Sequence, residues 1–187
     1  MSFDIYVLVR ANSWPTARQF DDSLVAASYP LRLGPRSDEA WDAPLAPVPA
    51  KPIAISLEQA QALGRPVGAP LEWSYDVGMP IVLDGIELDP DFGIEVVSDA
   101  EELNSTLRKF EGSPVAETGD YLMWFSHHVD QRHWNGAVYV LAAMILQFSG
   151  FAFELQGMSG GREPFANELF DTLYSDPVEN PFAFGED

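Results

Sequence analysis

The hydrophobic positions of this sequence concentrate in one segment. No charged residue occurs between residues 136 and 153, and apolar side chains recur there at the spacings of three and four residues that mark a helix face. Polar residues interrupt the segment and Glu154 follows it at once, which favours a helix buried in a protein core over a membrane span. We therefore predict a central buried helix over residues 134–148, ended by Gly150 in a left-handed cap and followed by a strand over residues 151–155.

Shorter segments with strand and helix patterns surround this centre. Residues 3–9 and 121–126 are apolar and aromatic runs typical of buried strands. Asp84-Gly85 is a strong hairpin signal between two short strands, and residues 92–110 read as a strand followed by a helix. Together these elements predict an α+β fold with a mixed β-sheet packed with helices.

The length of 187 residues fits one domain spanning residues 1–187, large enough to bury a substantial core. Six prolines lie between residues 30 and 52, and because each removes a backbone donor, this stretch is predicted to be a surface loop. Residues 175–187 form an acidic, proline-containing tail.

Several kinds of chemistry are excluded or unsupported by the residue types present. The chain has no cysteine, so it has neither disulfides nor a thiolate site. The first residues lack the basic segment of a secretory signal, so we expect a cytoplasmic protein. No phosphate-binding loop or dinucleotide fingerprint occurs, and we expect no cofactor.

The charge of the chain is strongly negative and unevenly distributed. It has 29 acidic and 10 basic residues, a net charge of −19, and no Lys or Arg between Arg65 and Arg108. Such a surface repels nucleic acid and anionic membranes but attracts a basic protein. Solubility alone is a simpler purpose for the same charge. The predicted partner-binding residues lie in the base-free interval: Asp84, Glu87, Asp89, Asp91 and Glu95.

All three histidines of the chain lie between His127 and His133, directly after a predicted strand. His128, Asp130 and His133 are the candidate ligands of a metal site. Against this, neighbouring His127 and His128 point to opposite faces if the strand continues through them. The alternative interpretation is that the histidine segment caps the following helix.

The sequence from Gly157 to Gly161 matches the G-x-S-x-G pattern of a hydrolase nucleophile elbow, with Ser159 as the candidate nucleophile. A predicted strand precedes it and a predicted helix follows it. However, every histidine precedes Ser159, whereas in α/β-hydrolases the histidine follows the serine. A glycine-rich turn is the competing interpretation.

Residues 1–9 and 147–156 resemble parts of small acidic bacterial toxin-immunity proteins. This resemblance implies a cytosolic domain that neutralises a toxin by covering its active site. We therefore predict a non-enzymatic acidic binding protein for a basic partner such as a toxin. The alternative is a small enzyme, either metal-dependent through the histidine cluster or a serine hydrolase.

Overall fold

The computed structural model describes residues 4–45, 75–126 and 130–175. Strands and helices alternate irregularly along these three stretches. In chain order they are β1 Asp4–Val9, a 3-10 turn Ala11–Ser13, α1 Ala17–Ala26, β2 Leu31–Leu33, α2 Asp38–Asp42, β3 Tyr75–Gly78, β4 Ile81–Leu83, β5 Ile86–Leu88, β6 Asp91–Val96, α3 Ala100–Leu107, β7 Tyr121–Ser126, α4 Gln131–Gln147, β8 Phe151–Glu154, β9 Ser159–Gly161 and α5 Glu163–Asp171.

A six-stranded sheet with the order β3-β6-β7-β1-β8-β9 forms the framework. The predicted single-domain α+β fold is confirmed, but the mixed sheet is not, because every described strand pair is antiparallel. The physical reason is the position of β1. The connection β7-α4-β8 is a crossover between two parallel strands, and β1 lies between them and pairs antiparallel with both.

Helix α4 is the centre of the core, and its prediction is confirmed with a start three residues earlier. Asp130 caps it by accepting hydrogen bonds from the backbone of Arg132 and His133. The helix is buried on most sides because it packs on the sheet, on α1 and on α5. No helix in the described part of the chain is long and apolar enough to cross a membrane.

The end of α4 differs from the prediction. The left-handed residue is Ser149, with φ of 56°, and not Gly150. Glycine at position 150 is explained by crowding, since a Cβ there would lie 2.7 Å from both the Met144 carbonyl oxygen and Val7 Cγ1. Close packing between helix and strand, rather than a positive φ, therefore requires the glycine.

A three-stranded sheet with the order β2-β4-β5 packs beside the framework. Its predicted hairpin is confirmed, with φ of 49° at Asp84 and 82° at Gly85, as a type I′ turn requires. The proline-rich segment is not simply a loop, because residues 30–45 contain β2 and α2 and bury Leu31 and Leu45. Residues 46–52, and 176–187 of the acidic tail, lie outside the described residues.

The two faces of the large sheet are covered differently. One face carries Ile5, Val7 and Val9, which join the main core under α4. The other carries Leu8, Leu122 and their neighbours, which pack in a smaller cluster with Leu107 and Phe110 at the end of α3. Only part of this second face lies under the short helix, and the remainder forms the floor of a cleft.

Candidate functional site

Four of the five predicted partner-binding acids lie together along the chain. Asp84 is in the β4–β5 turn, Glu87 is on β5, Asp89 follows β5, and Asp91 begins β6. All four are exposed, and none makes an ion pair with another residue that the structure describes. We call this set the hairpin acids.

Glu95 lies apart from the hairpin acids. It is half-buried near the end of β6, where the strand register places it opposite Leu122. Its side chain therefore belongs to the second face of the large sheet. The five acids predicted from the sequence consequently fall into two locations rather than one.

Beside Glu95, three aromatic residues form a row across the second face. The register joins Gly93 to Trp124, Trp124 to Tyr6, Tyr6 to Phe153 and Phe153 to Gly160. Directly opposed residues project from the same face of a sheet, so the aromatic side chains are neighbours. We call Trp124, Tyr6 and Phe153 the aromatic row.

The rings of the aromatic row are close enough to stabilise one another. The ring centroids of Tyr6 and Phe153 are 5.2 Å apart with nearly parallel planes, and those of Tyr6 and Trp124 are 6.2 Å apart. At the end of the row, the Trp124 indole lies directly on Gly93, because a Cβ at position 93 would be 1.9 Å from Trp124 Cε2. The glycine therefore fixes where the indole can lie.

The aromatic row forms the floor of a cleft of about 580 Å³ that is bounded on one side by α3. Three carboxylates line it: Glu95, Asp99 and Glu102. No Lys or Arg is among its described lining residues. The cleft thus combines an apolar, aromatic floor with a negatively charged rim.

Asp4 adds a further carboxylate beside the middle of the aromatic row, two residues before Tyr6 on β1. It accepts a hydrogen bond from the Ser126 hydroxyl and a longer one, 3.5 Å, from the Tyr6 hydroxyl. Burial, the charge of Asp4 and the hydrogen bond to it raise the pKa of Tyr6, with a smaller contribution from Glu95. Tyr6 therefore stays neutral near pH 7 and presents an uncharged aromatic ring.

The histidine segment is only partly described, since His127 and His128 lie outside the described residues. His133 Nδ1 lies 2.5 Å from Asp130 Oδ2. Burial alone raises the pKa of Asp130, but hydrogen bonds from the backbone and ring of His133 hold it below its usual value. This geometry is that of a helix cap. Across the described residues, no group of three or more acidic or histidine side chains is placed to hold a metal ion.

His133 nevertheless lies near two of the hairpin acids. Together with Glu87 and Asp89 it lines a cavity of about 360 Å³ between β5 and the residues that follow β2. From the sequence, the hairpin acids and the histidine segment are two separate candidate sites. The fold brings them to one location.

Ser159 does not lie in the context of a nucleophile elbow. It is the first residue of the edge strand β9, is exposed, and pairs with Glu154 across the β8–β9 hairpin. An elbow places its serine on a sharp turn between a strand and a helix. Within the described residues, no hydrogen bond joins Ser159 to a histidine. The glycine-rich motif is explained by a short hairpin.

Comparison of the chain with protein-family models, with curated proteins and with solved structures finds no match. The aromatic row is the part of the site that sequence patterns miss, because Tyr6 and Trp124 lie in segments that read as buried strands. Alternating burial would be a local signal, but residues 121–126 do not alternate strictly between buried and half-buried positions.

Proposed function

We propose that this chain is a non-enzymatic acidic binding protein that holds a basic protein partner, as an immunity or inhibitor protein holds a toxin. The observation that carries the proposal is the exposure of all four hairpin acids, none of which makes an ion pair with a described residue. Carboxylates that make no ion pairs with the described residues stay available to an external cation. The net charge of −19 adds a long-range field that attracts the same kind of partner.

The hairpin is a suitable support for such a contact. Its turn conformation is fixed by Asp84 and Gly85, and the buried residues Ile81 and Leu83 anchor β4 in the core. A backbone that is already fixed loses little conformational entropy on binding, so only the side chains have to be ordered. The hairpin acids therefore meet a basic surface in an arrangement that already exists before binding.

The first step of the test is affinity capture from the source organism at low and at high salt, with mass spectrometry of the retained proteins. A basic protein retained at low salt is then purified and titrated by calorimetry. The test variant is Glu87→Gln/Asp89→Asn/Asp91→Asn. The control is Glu163→Gln/Glu168→Gln/Asp171→Asn, which changes the net charge equally at exposed positions of α5.

An exposed ion pair contributes about 0.2–1 kcal/mol. Three lost pairs should therefore weaken binding about 3-fold to 150-fold at low salt, and the salt dependence should flatten. Both variants remove three negative charges and so weaken the long-range attraction equally. Apart from this shared loss, the α5 variant should change affinity less than twofold. Equal weakening by both variants would contradict a specific hairpin surface, and unchanged affinity in both would contradict electrostatic recognition.

A further inference from the structure

We propose that the cleft over the aromatic row receives an arginine side chain of the basic partner. This inference rests on the proposed function for the partner's basic character, but it concerns a different surface from the hairpin acids. It places the guanidinium on the Trp124 indole, beside the Tyr6 ring and within reach of the carboxylates on the rim.

The first argument is the unequal covering of the two faces of the sheet. The face under α4 is closed, and Ile5 and Val7 there are almost fully buried. On the second face, Trp124 and Tyr6 are only half-buried, although Leu8, in the same strand as Tyr6, is covered. The uncovered aromatic surface is the floor of the cleft. The cleft has a volume of about 580 Å³, which is large enough for a long side chain.

The second argument is charge complementarity. A cation over an aromatic face is attracted by the ring quadrupole, and Trp and Tyr are the strongest such partners. Here the rings lie beside Glu95, Asp99 and Glu102, and no cation lines the described cleft. Asp99 also accepts hydrogen bonds from the backbone of Glu101 and Glu102 at the start of α3, which keeps its carboxylate at the rim.

Arginine suits this site better than lysine. Its guanidinium is planar, so it stacks on an indole ring while its edge donates hydrogen bonds to a carboxylate. The lysine ammonium is compact and strongly hydrated, and it cannot do both. An anionic ligand would be repelled by the carboxylates of the rim, and a neutral ligand would gain no charge–charge attraction from them.

Gly93 determines the position of the stacking surface. Because the Trp124 indole occupies the space that a side chain at position 93 would need, Gly93→Ala must displace the ring. The variant keeps every aromatic and acidic side chain of the cleft. It therefore separates the arrangement of the site from its composition.

The test is a titration of the full chain with a pentapeptide containing two arginines, followed by NMR of the tryptophan indole N–H signals. The Trp124 signal is assigned from Trp124→Phe. The matched control ligand is the same peptide with citrulline, which has nearly the shape of arginine without its charge. A lysine peptide is the second comparison, and Glu87→Gln on the hairpin is the control variant.

We expect the arginine peptide to shift the Trp124 signal and the citrulline peptide to leave it unchanged. Trp124→Ala and Gly93→Ala should each weaken binding about two- to thirtyfold, the range of one cation–π contact. Glu95→Gln should weaken it severalfold, and Glu87→Gln should have no effect. Urea unfolding of each variant establishes that it is folded. If Trp124→Ala does not fold, Trp124→Phe and Glu95→Gln replace it in the binding assay.

The proposal would be overturned if the citrulline peptide bound as well as the arginine peptide, or if the lysine peptide bound equally or more tightly. Full affinity in both Gly93→Ala and Trp124→Phe/Glu95→Gln would also overturn it. So would sedimentation showing a wild-type dimer that Trp124→Ala dissociates, because a second copy would then cover the cleft. Loss of peptide binding in Glu87→Gln alone would locate recognition at the hairpin. These results do not depend on the partner capture, so the cleft and the proposed function can fail separately.

Discussion

Two neighbouring substitutions at the end of α4 should change stability in opposite directions. Ser149 holds a left-handed conformation that disfavours a side chain, whereas Gly150 has a conformation open to other residues but no room for one. We therefore predict that Ser149→Gly stabilises the protein and that Gly150→Ala destabilises it. If Gly150 provided the left-handed cap, Ser149→Gly would instead only add freedom to the unfolded chain and destabilise.

The sizes of the two effects follow from the local geometry. A left-handed conformation costs a residue with a side chain about 1–2 kcal/mol, and the greater freedom of glycine in the unfolded chain offsets about 0.5–1 kcal/mol of the gain. Ser149→Gly should raise the free energy of unfolding by about 0.5–1 kcal/mol, since its exposed side chain makes no hydrogen bond to a described residue. The crowded Cβ in Gly150→Ala should lower it by about 1–3 kcal/mol.

Urea unfolding followed by circular dichroism measures both changes. Gly112→Ala is the control, because Gly112 has φ of +71° but no atom within 4 Å of the point that a Cβ would occupy, so its cost is conformational only. Destabilisation by Ser149→Gly, or a change below about 0.5 kcal/mol in Gly150→Ala, would refute this account of the helix end.

Three further predictions concern buried or capping polar groups. Asp21→Ala removes the acceptor of the Leu33 N–H and should lower the unfolding free energy by about 2–4 kcal/mol at pH 7. Burial raises the pKa of Asp21 but hydrogen bonds lower it overall, so this contribution is present above about pH 4 and should shrink in urea titrations taken below the folded pKa; a constant difference would contradict it. Asp130→Ala should cost about 1 kcal/mol in the same assay, and an Asn substitution at that position much less. Asn135→Ala breaks two hydrogen bonds to the Tyr174 backbone and should cost about 2–3 kcal/mol and speed hydrogen exchange of the Tyr174 amide; unchanged exchange would argue against that clamp.

The hairpin turn and the central helix are predictable from sequence because their determinants are local. Asp84-Gly85 selects the turn type by itself, and the uncharged segment from residue 136 onward has few alternatives to a buried helix. The fold class follows from the same elements. The grouping of Glu87, Asp89 and Asp91 is also local, because these residues are close in sequence, whereas Glu95 lies on another surface.

Strand pairing explains what the sequence does not reveal. Tyr6 and Trp124 lie far apart in the chain, and only the insertion of β1 beside β7 makes them neighbours. The same insertion turns an expected mixed sheet into an antiparallel one. The Ser159 motif shows the limit of local spacing, since the fold places it in the β8–β9 hairpin and no described histidine hydrogen-bonds to it.

The central position of β1 also affects how the chain is made. Asp4 pairs with Ser126, 122 positions later, and Ile5 pairs with Glu154 after that. At about 5–20 residues per second, a ribosome needs roughly 6–25 s to supply the first of these partners. During that interval the apolar strand has no neighbours, so the middle of the sheet closes only after most of the chain has been synthesised.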